Sequence, residues 1–236
     1  MCVFINRGLN LGRLAFIIIV ALSGTVVLLS LGKWQLDRLT WKEAVLDKIN
    51  SRIIGFPKPL PAKVSEQIDK YLPVLIDGKY GSNYVRVLAS RKHIGAGYRI
   101  ISPFIIQERK ILVDRGFIKI GDPMPSTREG VIKVKGNLHW PEEIDAFTPG
   151  PDLNNNIWFA RDVQALAEHF GTEPTLVIAS EITPSEAKIA PLPINTASIP
   201  NDHLQYAITW FSLAIVWTFM SITFLWRTRS KSKGIN

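Results

Sequence analysis

The sequence predicts an integral membrane protein in which two transmembrane helices flank an exported α+β domain, mainly an antiparallel sheet or a partly closed barrel. Three observations lead to this fold class. Two apolar runs, at residues 14–32 and 204–226, contain no charged residue. Most of the excess positive charge lies beside these two runs. Between them, short segments rich in β-branched and aromatic residues are bounded by Gly, Pro, Asp or Asn, which is typical of β-strands.

The two apolar runs are 19 and 23 residues long. A helix rises about 1.5 Å per residue and the hydrocarbon core is roughly 30 Å thick, so each run is long enough to cross it. The first run has a second interpretation, a cleaved signal peptide, because Ser30 and Gly32 are spaced like the small residues of a cleavage site. A retained anchor is favoured, because the apolar region of a signal peptide usually has only about 7–15 residues.

The net charge of +8 is concentrated at the two ends of the chain. Six of the 28 Lys and Arg residues flank the apolar runs, namely Arg7, Arg13, Arg227, Arg229, Lys231 and Lys233. The remaining 22 Lys and Arg residues are nearly balanced by 20 Asp and Glu residues. The middle of the chain therefore lacks the excess of positive charge that a nucleic-acid-binding protein needs. Basic flanks are retained on the cytoplasmic side, or on the matrix side in an organelle, so both termini are expected to face the cytoplasm or the matrix. We predict the first case, a multi-pass protein of the bacterial inner membrane with both termini in the cytoplasm.

These boundaries define the predicted organisation. It comprises a cytoplasmic N-terminus (1–13), a first transmembrane helix (14–32), an exported domain (33–203), a second transmembrane helix (204–226) and a basic cytoplasmic tail (227–236). The exported domain has about 170 residues, enough for a core of its own. The single cysteine, Cys2, excludes an internal disulfide and a CxxC metal site.

Within the exported domain, a helix at residues 34–50 is expected to continue out of the membrane with Trp34, Arg38, Trp41 and Val45 on one face. The predicted strands are 75–80, 84–89, 98–107, 111–118, 131–138 and 176–181. A hairpin turn is predicted at 108–110, which favours antiparallel pairing of its neighbours. A further helix is predicted at 162–170, with Asp162 as its N-cap and Gly171 as its stop.

Signatures of catalysis are absent from the sequence, which has no Walker loop, no HExxH and no GxSxG. We therefore predict that the protein is not an enzyme. An exported, membrane-tethered hydrolase is the disfavoured alternative, because the spacing of Asp114, Asp145 and Asp162 does not indicate an acid and base pair. The histidines at positions 93, 139 and 169 are interpreted as structural or surface residues.

His203 differs from the other histidines because it stands directly before the second apolar run. If both termini are cytoplasmic, it lies at the same membrane face as Lys33, Trp34 and Arg38. A helix that begins near position 201 would place Tyr206, Ala207, Trp210 and Ala214 on the face of His203. Such an arrangement suits a planar apolar ligand that takes one axial nitrogen from the imidazole of His203. Arg38 would bind an acidic group of that ligand. The alternative is a hydrated histidine in an interfacial aromatic belt with capping residues beside it.

Five segments of the chain resemble motifs of the surfeit locus protein family, the assembly factors of cytochrome c oxidase. They are GKWQLDRLTWK at 32–42, GY and PF within 97–104, VDRGF at 113–117, NIWFARD at 156–162 and PNDHLQYAITWF at 200–211. They follow the family's order over nearly the whole chain. The chain departs from the family pattern at Phe117, Ala160 and Asp202. The carboxylate of Asp202 is expected to raise the basicity of His203 or to set its tautomer.

The resemblance implies a membrane-anchored assembly factor that binds haem a transiently and helps to deliver or insert it into the catalytic subunit. The implied partners are cytochrome c oxidase subunit 1 and haem a synthase or other assembly factors. His203 is then the expected axial ligand of the haem iron, and the expected haem-binding residues around it are Arg38, Trp34, Tyr206 and Trp210. Motif positions whose role the resemblance leaves open are Gln35, Asp114, Arg115, Trp158 and Arg161.

Two alternatives stay open at this point. The protein could be a scaffold that stabilises an oxidase subunit without binding haem. Asp114 and Arg115 could be structural residues that pair with neighbours to fix a turn after a strand.

Overall fold

The computed structural model describes residues 11–92, 94–124, 130–197 and 199–233. The chain divides into two compact units. Met1–Asp47 and Ala197–Asn236 form the helical unit, and Lys48–Thr196 form the sheet unit. The predictions made for Cys2, Arg7 and His93 concern positions outside the described residues.

The described residues of the helical unit lie mainly in two long helices, of which the first continues past Asp47 into the sheet unit. Helix α1, Leu11–Ile53, has 43 residues and helix α4, His203–Lys233, has 31. Both are long and apolar enough to cross a membrane, and their most apolar windows are only 0% and 6% buried, unlike the core helix of a soluble protein. The first apolar run and the helix predicted after it form one unbroken helix, because no proline interrupts the segment.

Small residues allow α1 and α4 to pack closely within the helical unit. A Cβ atom added at Gly24 would lie 2.5 Å from the indole of Trp217, and one added at Gly32 would lie 2.7 Å from the ring of Phe211. The indole nitrogen of Trp217 also donates to the carbonyl of Ala21 at 3.0 Å. Close approach at small residues and polar contacts between helices are the usual means by which apolar helices associate in a bilayer.

In the described part of the sheet unit, the end of α1 is followed by seven strands and two short helices. The strands are β1 (Pro73–Tyr80), β2 (Val85–Arg91), β3 (Gly95–Ile106), β4 (Arg109–Lys119), β5 (Ile132–Leu138), β6 (Ile157–Trp158) and β7 (Leu176–Thr183), and the helices are α2 (Glu66–Asp69) and α3 (Val163–Phe170). All six predicted strands are confirmed. The predicted turn lies slightly earlier than expected, because Arg109 already pairs with Ile106 in the ladder between β3 and β4.

The sheet closes on itself through five of its strands. Its order is β1-β5-β7-β4-β3-β2-β6, and β3 also pairs with β1 through Lys79 opposite Ile105 and Tyr80 opposite Phe104. This ring confirms the expectation of a partly closed barrel. The sheet is mainly antiparallel, as expected, and the exceptions are the parallel pairs of β4 with β7 and of β2 with β6. Parallel neighbours need a long crossover, and α3 lies in the connection that returns the chain to β7.

Side chains on the two faces of the ring strands enter two separate hydrophobic clusters. On β4, Ile111 and Val113 belong to one cluster with β1 and β5, whereas Leu112 belongs to the other, with α3. Successive residues of a strand point to opposite faces, so β4 is buried on both. The amphipathic helix α3 covers the second cluster with Val163 and Leu166.

Helix α3 begins and ends as the sequence predicts. The carboxylate of Asp162 accepts hydrogen bonds from the backbone N–H groups of Gln164 and Ala165, at 3.0 and 3.1 Å. Gly171 ends the helix in the left-handed conformation, with φ of 62°. A side-chain acceptor at the start and a glycine after the last turn are the expected caps of a helix.

A β-bulge interrupts β4 at Arg115. Gly116 lies opposite Ile100 and Asp114 lies opposite Ile101, so that Arg115 is the extra residue. Asp114 and Arg115 are both buried, with exposures of 0% and 4%, because β4 is covered on both faces. Two consecutive charged side chains are thereby placed inside the sheet unit.

Gly116→Ala is expected to lower the free energy of unfolding by about 2–4 kcal/mol, because it combines backbone strain with overpacking. Gly116 has φ of +123°, and its added Cβ would lie 2.3 Å from the carbonyl oxygen of Ala190. Gly95→Ala is the matched control, since Gly95 has φ of +100° and open space around it. Urea unfolding of the detergent-solubilised full chain measures both variants. Equal losses at the two positions would show that the contact with Ala190 is unimportant.

Candidate ligand site

The helical unit brings the family-like segments of α1 and α4 together at His203 and Gln35. His203 is the first residue of α4, and its Nδ1 atom lies 2.8 Å from Oε1 of Gln35 on α1. Gln35 is only 9% exposed, and Ala207, one turn beyond His203, is 1% exposed. The small side chain at position 207 permits the close packing of the helices that this hydrogen bond requires.

The backbone around His203 is fixed by polar contacts within the same unit. The carbonyl of Asp202 accepts the N–H of Tyr206 at 3.1 Å, which starts the helix. The ammonium group of Lys42 donates to the carbonyl of Pro200. The segment that leads into α4 is therefore attached to α1 through both Gln35 and Lys42.

Of the other residues predicted for this site, Trp34, Arg38 and Tyr206 are exposed, whereas Trp210 is partly buried, as is His203. Trp34 and Tyr206 are 54% and 55% exposed. The guanidinium of Arg38 lies 4.5 Å from the ring centroid of Trp41, in a cation–π contact, and not against His203. The aromatic and cationic side chains thus present accessible surface near the start of α4.

The imidazole of His203 has a polar partner that the sequence did not identify. Asp202 was expected to set its basicity or tautomer, but the contact found for the ring is with Gln35. Asp202 is exposed, and its contribution among the described contacts is the backbone hydrogen bond to Tyr206. The motif position of Gln35 was visible in the sequence, but a pairing across 168 positions leaves no local signal.

The two ring nitrogens of His203 are placed as they would be in a histidine that binds haem iron. Nδ1 of His203 is engaged by Gln35, and no hydrogen bond to Nε2 is found within the part of the chain that the structure describes. A histidine bound through one ring nitrogen and oriented through the other is the usual arrangement of a metal ligand. Asn201, two residues earlier, has a buried side-chain oxygen that lacks a hydrogen-bond partner among the described residues.

Asp114 is the centre of a buried ion network in the sheet unit. Its carboxylate accepts from Nε of Arg99 at 2.5 Å and from the backbone N–H of Gly116 at 3.1 Å, and Nη1 of Arg161 lies 3.5 Å away. Arg161 also forms a two-armed pair with Glu143. Burial alone would raise the pKa of Glu143, but its hydrogen bonds to Arg161 and the charge of Arg161 lower the pKa overall.

Arg115 belongs to a second buried pair. Its Nε donates to Glu186 at 3.0 Å and its Nη2 donates to the other oxygen of the same carboxylate. The guanidinium lies 4.4 Å from the ring centroid of Tyr80. The partners Glu143 and Glu186 lie in irregular segments that no sequence pattern singled out.

Trp158 has a structural position. It is 4% exposed, belongs to the hydrophobic cluster under α3, and its ring makes an edge contact with His169 at 5.7 Å between centroids. Its surroundings are those of a core residue. The motif positions of the sheet unit therefore lie in buried ion pairs and in the core, whereas those of the helical unit include exposed side chains.

His139 is expected to make the protein less stable as the pH falls from about 6.5 towards 4. Burial of the ring, reinforced by the cations Arg161 and Lys70, lowers the pKa of His139 to about 4. As the pH falls, His139 takes up its proton first in the unfolded chain, where its pKa has the ordinary value of about 6.5. The free energy of unfolding is therefore at its full value above pH 6.5 and decreases below it. The ring is partly exposed, which limits the effect to about 1–2 kcal/mol.

Unfolding of the wild type and of His139→Phe at pH 7 and pH 4.5 measures this effect. Phenylalanine preserves the ring that stacks on Tyr71 at 5.2 Å between centroids, but it cannot titrate. The wild type should lose about 1–2 kcal/mol more than the variant between the two pH values. The same loss in both proteins would contradict the assignment to His139.

The fold and the site define a class of protein: a ringed-sheet unit joined to two helices long and apolar enough to cross a membrane, with a histidine held at the start of the second helix. The SURF1 family model matches residues 22–215 of the chain. The chain therefore belongs to the SURF1 family.

Similar proteins come from bacteria and vertebrates. The SURF1-like protein of Rickettsia prowazekii is 35% identical over 204 residues, which covers 80% of this chain and 82% of the relative. Surfeit locus protein 1 of Xenopus tropicalis is 30% identical over 222 residues, covering 83% and 71%. Surfeit locus protein 1 of Homo sapiens is 27% identical over 220 residues, covering 83% and 73%.

Proposed function

We propose that the protein is a membrane-anchored assembly factor for cytochrome c oxidase that binds haem a and assists its delivery to, or insertion into, the catalytic subunit. The observation that carries the proposal is the hydrogen bond between His203 and Gln35. It joins two family-like segments that are far apart in the sequence and fixes one imidazole between helices that also carry the exposed side chains of Trp34 and Tyr206. Membership of the SURF1 family supports the oxidase role.

In this proposal His203 would hold the haem iron. Trp34, Tyr206 and Trp210 would supply apolar contacts to the ring system, and Arg38 would pair with a carboxylate of the ligand. The haem, when bound, supplies a metal centre that accepts an axial nitrogen ligand. The protein residues hold and orient it, and they exclude water from one of its faces. No catalytic residue is needed for this role, which agrees with the prediction that the protein is not an enzyme.

The proposed location is the bacterial inner membrane, which α1 and α4 cross. The sheet unit is then exported and both termini are cytoplasmic, because the basic residues at the two ends of the chain are retained on the inner side. A reporter fused after Trp226 should be active in the cytoplasm, and one fused near Gly121 should be active on the exported side. Reporters with the opposite activities would contradict this topology.

Cytochrome c oxidase subunit 1 is the proposed recipient, and haem a synthase or another assembly factor is the proposed donor. The test is to delete the chromosomal gene and restore it as wild type or as His203→Ala, each at matched expression. The wild type should restore the haem a content of the isolated oxidase, whereas His203→Ala should not. Normal haem content in the deletion strain, or full restoration by His203→Ala, would instead favour a scaffold that stabilises an oxidase subunit without binding haem.

A further inference from the structure

Gln35 is the residue that holds the imidazole of His203. Its side chain is 9% exposed on α1, and its Oε1 atom lies 2.8 Å from Nδ1. A glutamine amide can accept through its oxygen or donate through its nitrogen. Because a neutral imidazole carries one proton, the end of the amide that faces Nδ1 decides which ring nitrogen keeps a free lone pair.

We infer that Gln35 is a positioning residue that accepts a hydrogen bond from Nδ1–H of His203 and thereby keeps Nε2 unprotonated and ready to bind a metal. The part that concerns haem rests on the proposed function, whereas the tautomer does not. The proton on Nδ1 leaves the lone pair on Nε2, where no competing hydrogen bond is found among the described residues. An acceptor on the far ring nitrogen fixes both the tautomer and the orientation of a metal-binding histidine.

Because Gln35 is buried, losing its hydrogen bond to His203 costs more free energy than losing an exposed one would. Gln35 is enclosed at the interface of α1 and α4, near Gly32, whose missing side chain lets Phe211 pack against α1. A buried amide that loses its partner bears the cost of an unsatisfied polar group, so Gln35 and His203 favour the paired state. Asp202 is exposed and is not the group that meets the ring.

The tautomer can be measured without haem. The full-length protein, labelled with ¹⁵N in histidine and held in detergent micelles at alkaline pH, gives ring nitrogen signals whose shifts distinguish Nδ1–H from Nε2–H. His203→Ala identifies the signals of His203 among those of the four histidines. We expect His203 to be in the Nδ1–H form. An Nε2–H form in the wild type would overturn the inference.

Substitutions at Gln35 test its role directly. Gln35→Met keeps the length of the side chain but removes the acceptor, and it should abolish the preference for Nδ1–H and weaken ferric haem binding by about 10–100-fold. Gln35→Glu keeps an acceptor and should retain both the tautomer and the binding. The matched control is Gln205→Met, because Gln205 is exposed on α4.

The two proposals can fail separately. If the wild type binds haem but Gln35→Met leaves the tautomer and the affinity unchanged, the inference about Gln35 is wrong and the proposed function stands. If the wild type shows the Nδ1–H form and loses it in Gln35→Met but never binds haem, the positioning role holds and the proposed function fails. Circular dichroism of each variant distinguishes these results from a loss of helical structure.

Discussion

His203→Ala should reduce the affinity of the purified protein for ferric haem a by more than about 100-fold, because loss of the proposed metal ligand should cost at least as much affinity as loss of Gln35, which only positions that ligand. The imidazole is fixed by Gln35 and presents Nε2, and alanine supplies no donor in its place. Titration of haem a into the haem-free full-length protein, followed by the Soret band, measures the affinity.

Gln205→Ala is the control for this experiment, since it shortens a polar, exposed side chain two residues further along α4. It should bind haem a as the wild type does. Added imidazole should restore the Soret position of His203→Ala without restoring its affinity. Unchanged affinity in His203→Ala would exclude the residue as the axial ligand.

Asp114→Ala should lower the free energy of unfolding by about 3–5 kcal/mol, because it leaves the largely buried Arg99 without a carboxylate partner and removes one of the two carboxylates that Arg161 contacts. The Asp114 side chain has no exposed surface and lies within 2.5 Å of Nε of Arg99 and 3.5 Å of Nη1 of Arg161. It also accepts the N–H of Gly116, so the bulge in β4 loses a hydrogen bond in the same variant.

The loss of stability is measured by urea unfolding of the full chain in detergent. Asp77→Ala is the matched control, because Asp77 is 58% exposed and lies 3.9 Å from Lys133. Its ion pair is of the surface kind, which contributes about 0–1 kcal/mol. If Asp114→Ala is no more damaging than Asp77→Ala, the buried network does not stabilise the sheet unit.

Local patterns predicted the secondary structure well because they report local physics. The uninterrupted apolar run, the cap at Asp162 and the glycine at 171 defined helices, and β-branched segments defined six strands. Closure of the sheet was predicted only as a partly closed barrel, without the strands that close it. The pairing of β3 with β1 is limited to Lys79 with Ile105 and Tyr80 with Phe104, and such non-local contacts leave no mark on either segment.

The candidate site was predicted in position but not in its contacts. Membrane orientation placed His203 near the end of the first apolar run, and the resemblance to the family drew attention to Gln35. The partner of the ring could not be identified, because Asp202 is its neighbour in sequence whereas Gln35 is its neighbour in space. Likewise, the charged partners of Asp114 and Arg115 could not be identified, because Arg99, Arg161 and Glu186 are distant in the sequence and close only in space.

The central claim is that the protein carries haem a on His203. The absorption spectrum of the full-length protein, purified in mild detergent from cells that make haem a, tests it most directly. We predict a Soret band in the wild type that is absent from His203→Ala purified in parallel to the same yield. A pure, folded wild-type preparation without haem, or a His203→Ala preparation with full haem content, would contradict the claim.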